Sequence, residues 1–230
     1  MAVEIDAERC ATEYAATRAR VREVLSDLSP GQEETVVPAC PDWTVRNLAA
    51  HLAGVAADLV ARRNPTGDTQ AWVDAQVAER AAVPVAELLD EFDAAGPGFE
   101  GLIRNRPRSF AGLLYDVVSH EHDAANALGR PADRSSGGVV LSLDIMFDMV
   151  ERDLAANGLG AVRCSDGVRS WEVGEGEVGL TIETDTYELF RLVGSRRSLH
   201  QMRDAGFVGD LDAHLPGLCH LPLPTTDLVE

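Results

Sequence analysis

The chain has 230 residues, is 45% hydrophobic and 25% charged, and carries a formal net charge of -18 at neutral pH. Those proportions suit a protein that buries a core, and the length allows one large domain or two small ones. The charge argues against a nucleic-acid partner, which rewards clustered cations, and no apolar run approaches the roughly 20 residues of a bilayer-spanning helix.

All 20 basic residues are arginine, so lysine Schiff-base and P-loop chemistry are excluded too. The start, Met1 to Asp6, is acidic and lacks the basic and apolar regions of a signal peptide, so the protein is expected in the cytoplasm. There the scattered Cys10, Cys40, Cys164 and Cys219, with no CxxC pair, are expected to be reduced and to act mainly as small buried residues.

In chain order, Cys10, Tyr14, Val21, Val24, Leu25 and Leu28 recur near helical spacing, which predicts a helix from about Glu4 to Leu28, stopped by Ser29-Pro30-Gly31. Val36 to Pro41 reads as extended because its prolines disfavour helix. Thr44 reads as the N-cap of a second helix with Leu48, His51, Leu52, Val55 and Leu59 on one face. After a loop at Asn64 to Asp68, helices are predicted over 69–82, 84–104 and 109–128, the last ending at Gly129-Arg130-Pro131.

Beyond a linker at 133–138, a helix is predicted over 142–157, with Ile145, Met149, Val150 and Leu154 inward. Three strands, 161–164, 168–173 and 178–183, read as an antiparallel meander, followed by helices at 186–193 and 198–204 and an irregular tail. The predicted fold class is therefore α+β: a four-helix bundle over 1–132, then a small α+β domain over 139–230 with a short antiparallel sheet.

Two of the predicted helices carry the chemistry. One bears His51; the other bears Asp116 and His120, four residues apart and so on one face. If they pack together, two imidazoles and a carboxylate meet, a set that suits a divalent metal and leaves positions open for water or substrate. Taken singly, His51 reads as a core histidine and Asp116 with His120 as an ion pair. His122, about 200° around the helix from His120, is expected at the surface. Trp43 reads as a packing anchor, and His200, His214 and His220 show no ligand spacing.

The run from Val37 to Leu52, with Cys40-Pro41-Asp42-Trp43-Thr44-Val45-Arg46 and His51 inside it, resembles the amino-terminal signature of the mycothiol-dependent maleylpyruvate isomerase family, within a wider group of DinB-like metal-binding bundles. Asp116 to Asp123, followed by Ala127-Leu128-Gly129-Arg130-Pro131, is similar to the family's second ligand helix. Thr181 to Asp185 and Phe190 to Arg197 resemble its carboxy-terminal domain. The resemblance implies that His51 and His120 are ligands of a divalent metal, zinc first, with Asp116 at the carboxylate position. The characterised isomerase has glutamate there, so the shorter aspartate must approach more closely or bind through water.

The resemblance further implies mycothiol as thiol cofactor, a small electrophilic substrate, and a catalytic arginine, for which Arg196 is the candidate and Arg197 fits almost as well. A metal-held thiol is nucleophilic at neutral pH, so an isomerase adds it to a conjugated double bond and a transferase displaces a leaving group with it. The arginine would stabilise the anion that develops. Asp123, three residues after His120, is placed to orient an imidazole. The alternative is a non-catalytic metal- or small-ligand-binding protein on the same bundle, which the aspartate favours.

Overall fold

Asp6 starts the first helix by accepting a hydrogen bond from Arg9 N–H at 3.0 Å. The structure is a computed structural model that describes residues 5–130 and 132–230; Glu4, at which the helical periodicity begins, and Pro131 lie outside them. Helix α1 (Ala7–Leu25) buries Cys10, Tyr14, Val21, Val24 and Leu25, the stripe its spacing predicts. Ser29-Pro30-Gly31 ends one helix and begins another, because Ser29 and Gln32 form a capping box at the single turn α2 (Pro30–Glu33).

The segment expected only to be extended is a hairpin. Strands β1 (Val36–Val37) and β2 (Cys40–Thr44) pair antiparallel, Val37 opposite Cys40, around Pro38 and Ala39. Thr44 ends β2 and caps α3 (Val45–Val60): Asn47 N–H donates to Thr44 Oγ1 at 3.3 Å, and Thr44 N–H donates to Asn47 Oδ1 at 2.9 Å. Then follow α4 (Thr69–Glu79), α5 (Val85–Asn105), α6 (Pro107–Phe110) and α7 (Gly112–Ala127). The helix predicted over 109–128 is thus two. Pro107 forces Arg106 out of the helical region, to φ -142° and ψ 63°, so α5 ends there and α6 begins at once.

Within this first unit, Ile5–Ala132, α1 packs against α5 and α7, and α3 also packs against α5 and α7, which makes the four-helix bundle. Its core includes Tyr14 and Phe99, with ring centroids 4.6 Å apart, and Phe110 edge-on to Phe99 at 6.2 Å. Helix α4 buries only Gln76, which donates to Asp58 of α3 at 3.0 Å, so a polar contact rather than an apolar stripe anchors it.

In the second unit, Asp133–Glu230, Ser136 accepts from Val139 N–H and starts α8 (Gly137–Ala156) more than a turn earlier than predicted, turning the expected Gly137-Gly138 linker into helix. Strands β3 (Ala161–Ser165), β4 (Ser170–Val173) and β5 (Val178–Glu183) follow, then α9 (Thr186–Val193), α10 (Leu199–Asp204), β6 (Val208–Gly209) and α11 (Leu211–Leu218). The fold class is α+β as expected. The sheet order is β4-β3-β5-β6, and the outer pairs are antiparallel, but the central pair β3 and β5 runs parallel.

The expected meander is corrected there by its loop. Gly174 and Gly176, at φ 93° and 86°, turn the chain past the start of β3, where Ala161 N–H donates to the Glu177 carbonyl at 3.0 Å. Strand β5 therefore enters on the far side of β3. The pair β6 and α11 was not predicted: a two-residue strand carries no alternation, and Pro216 inside α11 reads as a breaker. No helix among the described residues is long and apolar enough to cross a membrane.

The crossing is tight. A Cβ on Gly160 would lie 2.5 Å from the Glu177 carbonyl oxygen, whereas one on Gly101, inside α5, meets nothing within 4 Å. Thermal denaturation is expected to show Gly160→Ala destabilised and Gly101→Ala stabilised by about 0.5–1 kcal/mol from helix propensity. Equal effects at the two positions would contradict the crossing as described.

Candidate metal centre

Helix α7 sets Asp116 and His120 one turn apart, and α3 brings His51 to them from the neighbouring helix. His51 Nε2 lies 3.4 and 3.3 Å from the two Asp116 carboxylate oxygens, and His120 Nε2 lies 3.5 Å from Oδ1. The two imidazoles stand edge to face with centroids 5.1 Å apart. Both are 95% buried, at 5% exposure, while the Asp116 side chain is 28% exposed, so the carboxylate marks the open side.

The residues fit a metal. A tetrahedral shell with bonds of about 2.0–2.1 Å spaces neighbouring donors by roughly 3.3 Å, close to the nitrogen–oxygen distances here. Two nitrogens and one oxygen suit zinc and similar ions and leave positions vacant. The shorter aspartate reaches both imidazole nitrogens without a bridging water. The same distances also fit a His–Asp–His hydrogen-bonded cluster, and metal content is what separates the two.

The surroundings add three features. Asp123, fully buried, places Oδ2 3.2 Å from His120 Nδ1, although the N–H direction does not make an aligned hydrogen bond. That carboxylate still favours the tautomer with Nε2 unprotonated, the state a ligand needs. Trp43, expected only as an anchor, lies over both imidazoles, with centroids 5.0 Å from His51 and 5.8 Å from His120. It is half-buried. Cys40, on the same strand, sets Sγ 3.9 Å from Asp123 Oδ2. The hairpin reaches this place because β1 packs on α7 while β2 leads directly into α3.

Tyr14 of α1 feels the charge of the site. Desolvation first, and the charge of Asp116 second, push its phenol well above the ordinary range, so it remains a neutral hydroxyl. Its periodicity marked it as core, which it is; nothing in the spacing tied it to Asp116. His51 Nδ1 is buried with no hydrogen-bond partner among the described residues. His122 corrects the surface expectation: at 1% exposure it is buried, because every residue from Val117 to Ala125 is, and α7 has no solvated face there. Beside it Glu121, 1% exposed, is held bidentately by Arg20 at 2.6 and 2.9 Å.

Burial pushes the thiol of Cys10 up to about 11 and those of Cys164 and Cys219 up to about 12, so these three are neutral at physiological pH. Arg196 and Arg197, in the second unit, are both buried, not a solvated cluster. They follow Ser195, whose φ of 58° turns the chain at the end of α9. Arg197 is engaged by Glu188 through two bonds of 2.7 Å and by Glu230 at 3.0 Å, while Arg196 Nη1 donates to the Gly194 carbonyl at 3.0 Å. Glu230 also accepts from the fully buried Arg191, with Nε 3.1 Å away.

Residues 14–111 match the family described as Mycothiol maleylpyruvate isomerase N-terminal domain. The match bears out the resemblance of the amino-terminal run; it includes His51 and stops short of Asp116 and His120. Two solved structures, the mycothiol-dependent maleylpyruvate isomerase and a histidine-to-alanine mutant of it, are similar over 84% of this chain and 90% of theirs, at 12% identity, with TM-scores of 0.55 and 0.54. At that identity they show a shared fold. No curated protein matches the chain.

The Glu230 network makes a prediction. Burial raises its carboxyl pKa, but Arg191 and then Arg197 outweigh this and hold it below the ordinary range. A depressed folded pKa stabilises fully above the unfolded value, roughly 4.3, and that stability is lost as pH falls through the folded value. Melting temperature against pH is expected to fall more steeply on the acid side for the wild type than for Glu230→Gln, which starts lower at neutral pH. Parallel curves would contradict it.

Proposed function

We propose, from the match of residues 14–111 to the N-terminal domain of the mycothiol maleylpyruvate isomerase family, that this chain is a divalent-metal-dependent enzyme. In this reading it uses mycothiol against a small electrophile, as an isomerase or an S-transferase. The observation that carries the reading is the convergence of His51 Nε2 and His120 Nε2 on the Asp116 carboxylate at 3.3–3.5 Å. His51, Asp116 and His120 would hold the ion, with zinc the first expectation from two imidazoles and one carboxylate. When bound, a divalent ion acts as a Lewis acid and lowers the pKa of a thiol that reaches its vacant positions.

The side chains around it divide the remaining work. The Asp123 carboxylate, 3.2 Å from His120 Nδ1, favours the imidazole proton on that nitrogen. Trp43 excludes water on the hairpin side, so a thiol and an electrophile approach where Asp116 is exposed. The cysteines at 10, 164 and 219 are held neutral, which fits a nucleophile supplied by a small molecule. Arg196 is assigned the catalytic cation that the resemblance implies, with Arg197 the second candidate. The alternative, a non-catalytic metal- or small-ligand-binding module, shares this geometry and differs in lacking thiol turnover.

Metal analysis of purified protein tests the first part. The wild type is expected to hold about one ion per chain, and His51→Ala to lose it while still folding. Mycothiol consumption with a panel of electrophiles tests the second, with turnover in the metal-loaded wild type and none in His51→Ala. Metal without any thiol chemistry would point to the non-catalytic module; no metal in either protein would remove the proposal. For the arginines, Arg196→Ala is expected to lower turnover more than Arg197→Ala does. The reverse pattern would exchange their roles.

A further inference from the structure

His120 has a second face that the first site leaves unused. Its Nε2 faces Asp116 at 3.5 Å, whereas its Nδ1 faces Asp123 at 3.2 Å. Cys40 Sγ, a ring nitrogen of His120 and one Asp123 oxygen lie within 4.8 Å of one another, and Nδ1 is the nitrogen that Asp123 approaches. Within that set, Nδ1 to Oδ2 is 3.2 Å and Sγ to Oδ2 is 3.9 Å. Bonds of about 2.3 Å to sulfur and 2.0–2.1 Å to nitrogen and oxygen space donors by roughly 3.3–3.7 Å, so the cluster needs small adjustments to close on one ion. His120 is 95% buried, and its Nδ1 makes no aligned hydrogen bond. Asp123 is fully buried, while Cys40, on the hairpin, is half-buried and gives an ion a way in.

We infer that Cys40, His120 and Asp123 form a second metal site, selective for soft thiophilic ions such as cadmium, that competes with the His51 site for His120. Softness follows from the donors: a thiolate binds soft ions in preference to the ions that suit imidazole and carboxylate alone. Competition follows from the ring. A neutral imidazole has one nitrogen lone pair, so His120 serves an ion through Nε2 or through Nδ1, with the proton on the other nitrogen. A soft ion at Cys40 thus withdraws His120 from the first site and leaves His51 and Asp116 with too few donors. On binding, the thiol proton is released to solvent, and the imidazole proton moves from Nδ1 to Nε2 by exchange with water. The second site stands on its own geometry; only the competition rests on the function proposed above.

Titration with cadmium chloride, followed by ultraviolet thiolate-to-cadmium absorption, tests this. The wild type is expected to develop the band, Cys40→Ser to lose it with affinity at least about tenfold weaker, and His51→Ala to keep it. A band that persists in Cys40→Ser, or that is absent from the wild type, overturns the site. Cys40→Ala replaces the serine variant if circular dichroism shows the latter unfolded. On protein preloaded with zinc, cadmium is expected to release zinc one for one in the wild type and not in Cys40→Ser. Retention of both ions overturns the competition and leaves the second site intact. Failure of the His51 reading shows differently, as zinc binding that His51→Ala does not change.

Discussion

One carboxylate shared by two imidazoles from different helices is the constraint on which the rest depends. Asp116 and His120 are aligned by helix periodicity alone, but His51 meets them only if α3 has the right rotation. That rotation is set about two turns upstream, where the Thr44–Asn47 capping box fixes the first helical residue. The hairpin that delivers Thr44 also carries Trp43 and Cys40, so one short segment both phases the helix and lines the site. A slip of one residue at the cap would rotate His51 by about 100° and empty the site of a ligand.

The polar groups are arranged so that burial falls on atoms that gain from it. The imidazoles are enclosed, and Asp123 lies fully buried beside one of them. The neighbouring Glu121 is neutralised by the two-bond contact with Arg20, so its charge is not left bare next to His120. Of the three side chains His51, Asp116 and His120, Asp116 alone is partly exposed. The outcome is a site enclosed on the hairpin side by an aromatic ring and open at one carboxylate, an asymmetry that gives a ligand one direction of approach.

Much of this was legible in the sequence, and the failures have physical causes. The amphipathic stripes of α1 and α3, the Thr44 cap and the i,i+4 pair on α7 are local signals, and each appears where expected. The hairpin was read only as extended backbone, since proline reports a dihedral preference and not a strand partner. The parallel pairing of β3 with β5 was missed because it depends on the path of a four-residue loop, which alternation cannot express. His122 was misplaced because a single helix gives an angle but not what covers it. The contact of Trp43 with both imidazoles and the nearness of Tyr14 to Asp116 are long-range facts, and no spacing rule contains them.

X-ray absorption at the zinc edge of the zinc-loaded protein examines the shared site most directly. The account predicts multiple-scattering features of two imidazoles and a first shell of nitrogen and oxygen at about 2.0–2.1 Å, with one imidazole lost in His51→Ala. A sulfur shell near 2.3 Å, or a spectrum indifferent to His51→Ala, would contradict it.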